Sequence, residues 1–196
     1  MISAMIDRLD LLNFNIFLTS ALFFFAGYAL APTASYKKIG WILAYPHWIV
    51  SKLDYLIKQK WNPVILFLFI FLVNGISLFI NLLSGHIPGL PFLFALWMGV
   101  DIGVVSYETL EGKYFYTALL NPVALFELPA AFISFTMAFQ YNLINLNIPL
   151  KGIAAVQFSE YIQLFIEIVL PLLLIAGILE TALINFSQKL EDHKDL

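Results

Sequence analysis

From Tyr114 to Tyr141 the sequence carries one charged side chain, Glu127, and two prolines, Pro122 and Pro129, bracket it. Roughly 20 apolar residues are enough to cross a bilayer as an α-helix. An ionised carboxylate stripped of its water at that depth is costly, so Glu127 has to face protein or water rather than lipid. The run is longer than one crossing needs, and Asn121–Pro122 falls inside it. Pro122 has no N–H to donate and disfavours helix at Asn121. The pattern therefore predicts a short piece over Tyr114–Leu120 in the interface, then a new helix from Pro122. Glu127 then lies within two turns of a helix N-terminus, where the helix dipole favours negative charge.

Composition sets the class. The 196 residues are 61% hydrophobic and 12% charged, with mean hydropathy +0.88. Soluble domains carry about 25% charged residues, so this is an integral membrane protein. The reading is an all-α polytopic bundle in a single membrane domain. Its spans fall at about 11–31, 63–83, 91–107, 117–141 and 160–186, with an interfacial helix at about 41–61 and a charged tail at 187–196. With no cysteine, disulfides, thiol catalysis and thiolate metal sites are excluded. No basic run or aromatic–basic repeat points to nucleic acid. The first run, Leu11–Ala31, lies between Asp7, Arg8 and Asp10 and Pro32 with Lys37–Lys38. Its Ala29–Leu30–Ala31 triplet has the form of a cleavage site, but the run is twice the length of a signal peptide's apolar region, so it is read as a retained helix.

Between the first two spans, Trp41, Tyr45, Trp48, Tyr55 and Trp61 interleave with Lys37, Lys38, Lys52, Lys58 and Lys60. Ile49, Leu53, Leu56 and Ile57 recur at helical spacing, as in a helix lying in the headgroup plane. Such a helix anchors the chain at the interface or docks a cytosolic partner. In the second span Asn74–Gly75 and Asn81 are polar positions suited to helix packing, and in the third Gly99 and Gly103 have small-xxx-small spacing. Asp101 lies between those glycines in the inner half of its span. Asn142–Ser159 reads as a loop or re-entrant excursion. In the last span Glu160, Gln163 and Glu167 share a face, Pro171 predicts a kink, and Glu180 lies nearer the far end. Glu127 is thus the candidate polar hub with Asn121, Pro122 and Pro129, and its candidate intramembrane partners are Asp101, Glu167, Glu180 and Asn74.

Orientation follows from the basic residues. With the N-terminus outside, Lys37, Lys38, Lys52, Lys58, Lys60, Lys113, Lys189 and Lys194 face the cytosol, and only Arg8 and Lys151 lie outside. That is a positive-inside distribution.

The Pro122–Ala130 string, PVALFELPA, resembles the Phe-Glu-Leu-Pro-Ala signature of the stage II sporulation protein M family of small multi-pass membrane proteins. Pro171–Ile184, PLLLIAGILETALI, is similar to that family's last helix, which ends in an Ala-x-x-x-Glu pattern, and Asn62–Gly75 and Gly99–Gly103 fit its order of elements. The likeness covers about residues 60–186. It departs at Val123 and Ala124, where members usually have His-Gly, and at Met98, where they often have Asn. The resemblance implies a membrane fold and, by its spore-forming members, a scaffold for envelope-remodelling hydrolases.

Three function classes compete. An intramembrane hydrolase needs a nucleophile with its base, paired aspartates, or His/Glu ligands at helical spacing. His47, His86 and His193 are scattered, so no catalytic, cofactor or metal residue is assigned, and a non-enzymatic protein is expected. A transporter or channel subunit would use Glu127, Asp101, Glu167 and Glu180 as an ion path, with a cytosolic ATPase as partner. A scaffold would use the same acids as interhelical hydrogen-bond partners. The expectation is a scaffold or assembly subunit in the plasma membrane, N-terminus outside and C-terminus cytosolic. Its partners would be membrane lipids, other membrane or envelope proteins, and further copies of itself.

Overall fold

The computed structural model describes residues 9–58, 61–148 and 156–192, which contain helices and no strand. The first helix, α1, runs Phe14–Tyr36 and α2 runs Gly40–Lys58. Next come α3, Pro63–Ser84, and α4, Leu90–Thr109. A 3-10 segment, Phe115–Leu120, leads to α5, Ala124–Asn145. The last rod is α6, Phe158–Leu164, a π-helical turn, Phe165–Val169, and α7, Leu170–Asp192.

Local chemistry sets these boundaries. Asn13 caps α1 by accepting from the N–H groups of Asn15 and Ile16. Asn62 accepts from Val64 N–H ahead of α3, whose first residue is Pro63. Gly89, at φ 76°, supplies the left-handed residue before α4. Three sequence expectations change. First, α1 continues through Pro32 to Tyr36, because a proline in a helix removes one N–H and can be carried by an otherwise complete turn. Second, the last helix is perturbed at Phe165–Val169, the turn before Pro171, where the wider π turn relieves the clash between the proline ring and the preceding carbonyls; that helix then continues past Phe186 to Asp192. Third, Asn142 belongs to α5 and is fully buried rather than in a loop. Helix α5 carries this stretch on to Asn145 and α6 takes it up again at Phe158; residues 149–155, with Pro149, Lys151 and Gly152, lie outside the described residues, as do the side chains of Leu53, Leu56, Ile57, Lys58 and Lys60.

Helix directions follow from which residues meet. Phe24 backbone lies over Gly99, and Tyr28 backbone over Gly103, so α1 and α4 are parallel. Asn74 meets Glu127, and Asn81 meets Ser134, so α3 and α5 are parallel. Ser20 meets Thr136 while Asn13 meets Gln140, so α1 and α5 are antiparallel. The last rod pairs Tyr161 with Gln140 and Phe165 with Phe79, so it runs against both α5 and α3. Because α1 and α3 are antiparallel, α2 makes no crossing of its own; it packs on α4 through Trp41 on Trp97 and His47 on Glu108, and it exposes Trp41, Trp48 and Tyr55.

Four helical stretches, Phe14–Tyr36, Pro63–Ser84, Leu90–Thr109 and Phe158–Lys189, are long and apolar enough to cross a membrane among the described residues. Helix α5 is more polar because it is enclosed by the others. Ala130 through Gln140 are all buried, including Ser134, Thr136 and Gln140. The tightest seam is α1 on α4. A Cβ on Gly27 would overlap the Leu96 carbonyl oxygen, and one on Gly99 would overlap the Phe24 carbonyl oxygen. These backbones touch because no side chain stands between them.

Gly99→Val and Gly27→Val are each expected to lower stability by about 3 kcal/mol or more, since backbone cannot yield as a side chain can. Gly40→Ala meets open space and should be neutral or mildly stabilising. Reversible unfolding in mixed micelles, followed by circular dichroism, checks all three.

Candidate functional site

The break before α5 is built by Asn121. It has the extended backbone expected before proline, its Oδ1 accepts from Ala124 N–H at 2.8 Å, and its Nδ2 donates to Ala118 carbonyl at 2.6 Å. One side chain thus closes the 3-10 segment and opens α5. The segment is held down from the other side by Tyr28, whose hydroxyl donates to Phe115 carbonyl at 2.7 Å. Val123 and Ala124 are buried against the bundle. Pro129 stands inside α5 and leaves the Leu125 carbonyl without its usual helical donor.

Glu127 is thereby fixed in the first turn of α5. Its Oε1 accepts from Asn74 Nδ2 at 2.9 Å, a bond joining α5 to α3. The carboxylate stands in the wall between two cavities. One, about 210 Å³, lies toward the 3-10 segment and is bounded by Ser106, Ala118 and Asn121. The other, about 530 Å³, lies between α3, α4, α5 and α7, with Tyr45 and Ile49 of α2 across it. Asp101 and Glu180 line that second chamber together with Glu127, Asn74 and Asn81. Burial, then the charge of Asp101, pushes the Tyr45 phenol above its ordinary value. Gly99 and Gly103 act one helix face away, in the α1 seam. Glu167 does not line the chamber; it accepts from Gln163 at 3.3 Å, one turn back on the last rod.

The remaining polar residues of α5 were not singled out from sequence, and each ties α5 to another element. Gln140 accepts from Asn13 N–H at 2.8 Å and donates to Leu11 carbonyl at 3.0 Å and to Tyr161 hydroxyl at 3.3 Å. Asn142 donates to the Gly85 and Ile87 carbonyls and accepts from Gly89 N–H, so it satisfies the α3–α4 turn. Ser134 donates to Leu78 carbonyl and accepts from Asn81. On the surface His47 meets Glu108 at 2.8 Å, and Ser35 donates to the same carboxylate, joining α2, α4 and α1. The signal for part of this was present: Asn74, Ser77 and Asn81 share one face of α3 at spacings of three and four.

Chemically, the site offers carboxylates, amides and hydroxyls. His47 sits on Glu108 and His86 packs between Tyr141 and Phe158, and neither lines the chamber. The family model of Stage II sporulation protein M matches residues 15–183, from the first turn of α1 into α7 and across the whole Glu127 site. The chain belongs to the stage II sporulation protein M family. No curated protein and no solved structure matches it. Family membership and the long apolar helices make it a multi-pass membrane protein.

Gln140→Leu should cost about 1–3 kcal/mol, because it strands the Asn13 N–H and the Leu11 carbonyl at the mouth of the bundle. Asn142→Leu should do the same to the α3–α4 turn, and hydrogen exchange at Gly89 should rise in that variant alone.

Proposed function

We propose that the chain is a non-enzymatic scaffold or assembly subunit of a membrane or envelope complex. The observation that carries this reading is that the buried polar side chains of α5 are engaged in bonds to neighbouring helices. Glu127 is held by Asn74, Ser134 by Leu78 and Asn81, and Gln140 by Leu11, Asn13 and Tyr161. Such bonds rigidify a bundle and fix one arrangement of its helices, as a platform for other proteins requires.

In this reading the chain crosses the plasma membrane five times through α1, α3, α4, α5 and the α6–α7 rod. Helices α1, α4 and α7 run the same way, so Lys37 and Lys38 after α1, Lys113 after α4 and Lys189 late in α7 lie toward one side of the bundle; by the positive-inside rule that side, with the C-terminus, is the cytosolic one and the N-terminus is outside. The lipid-facing perimeter, with Leu22, Leu72, Ile76, Leu93 and Ile178 exposed, meets lipid, partner membrane helices or further copies of the chain. The convergence of Asp101, Glu127 and Glu180 on one chamber favours a second reading, a channel or transporter subunit served by a cytosolic ATPase.

Purification in a gentle detergent at native expression level, with mass spectrometry of what stays bound in stoichiometric amount, separates the two. Envelope proteins are expected; a nucleotide-binding subunit would overturn the scaffold reading. Glu127→Gln should keep the complex, because an amide still accepts from Asn74, whereas Glu127→Leu should lose it. Orientation is checked on the cysteine-free background: Ser51→Cys should label only from the cytosolic side and Ile87→Cys only from outside.

A further inference from the structure

Tyr45, Trp48, Ile49, Lys52 and Tyr55 recur at spacings of three and four, so they share one face of α2. That face lines a cavity of about 570 Å³ together with α3, from Phe69 to Asn74, and with Glu180 of α7. The cavity shares Tyr45, Ile49, Val73, Asn74 and Glu180 with the acid-lined chamber of about 530 Å³. In the other direction it leads out to Trp48, Lys52 and Tyr55, which are exposed. It is the side entrance of the chamber, and Lys52 stands in it.

The two charged groups of this entrance are complementary and unused. Glu180 opens onto both cavities and accepts no hydrogen bond or ion pair from any described residue. Lys52 is likewise without a partner among the described residues, and it is the one cation among the residues that line either cavity. A carboxylate inside an apolar bundle is costly until a donor meets it. Glu180 already stands within the bundle, so pairing it strips water from Lys52 alone, and opposite charges attract more strongly where water is scarce. Helix α2 is fixed on α4 by Trp41 on Trp97 and by His47 on Glu108. The lysine side chain rather than the helix therefore makes the move, since its flexible four-carbon stem carries the ammonium from water onto a group below it.

We propose that Lys52 is a latch on the acid-lined chamber. In the structure it is turned out. Turned in, its ammonium donates to the Glu180 carboxylate, ties α2 to α7 and shuts the side entrance over Val73. The latch switches the chamber between a form open at its side and a sealed one. It goes beyond the scaffold reading and does not depend on it.

The test uses the purified full chain in phosphatidylcholine nanodiscs, with Val73→Cys as the single cysteine of a chain that has none. Labelling by N-ethylmaleimide, which is small and neutral, is timed with Lys52 and Glu180 intact, in Lys52→Gln, in Glu180→Gln and in the double variant. Each single substitution should speed labelling by roughly fivefold or more, and the double should be no faster than either single, the non-additivity expected of two residues in one contact. Lys52→Arg keeps the charge and should label as slowly as the intact pair. Ile87→Cys, exposed at the α3–α4 turn, is the control for general loosening and should label equally in every background. Equal rates at Val73→Cys throughout, single effects that multiply in the double, fast labelling in Lys52→Arg, or a matching rise at Ile87→Cys would overturn the latch.

Discussion

The bond from Asn74 to Glu127 is the interaction on which the rest of the bundle depends. A carboxylate in the apolar signature string is tolerable only where a donor meets it and lipid does not. That requirement places the start of α5 against the middle of α3. The same parallel register brings Ser134 to Asn81 and Asn142 to the α3–α4 turn further along. Once α5 is committed to α3 on one side, its other polar residues, Thr136 and Gln140, reach α1 and Tyr161. Helix α5 becomes the enclosed post, and the more apolar helices form its jacket.

The jacket closes through backbone contact rather than side-chain filling. Between α1 and α4 the glycines Gly27, Gly99 and Gly103 bring main chains together, and lipid offers no hydrophobic drive that would substitute for such packing. Helix α2 packs beside α4, where Trp41 stacks on Trp97 and Tyr45 and Ile49 line the acid-lined chamber. It is one wall of the site.

Much of this was legible in the sequence because the signals were local. The break at Asn121–Pro122, the acid in the first turn of α5, the helix at α2 and the Gly99–Gly103 pair each follow from residues within a few turns of one another. What was not legible depends on partners far along the chain. Gly27-x-x-x-Ala31 is the other half of the glycine seam, but its spacing shows meaning only beside α4. Asn142 reads as loop polarity until Gly85, Ile87 and Gly89 are seen to need its amide. Glu180 and Glu167 look alike as acids in one helix, yet only Glu180 lines the chamber, because their separation carries them to different levels of the bundle. Pro32 was overweighted as a helix boundary, since one missing N–H is tolerated where the rest of the turn is intact.

The most direct test of this account is a double-mutant cycle on Asn74 and Glu127, with Asn74→Ala, Glu127→Ala and the pair, measured by reversible unfolding in mixed micelles. An interhelical bond that organises the bundle predicts a favourable coupling energy of about 1 kcal/mol, toward the upper part of what such bonds contribute in membranes. Strict additivity of the two substitutions would contradict it, leaving Glu127 without the structural role assigned to it.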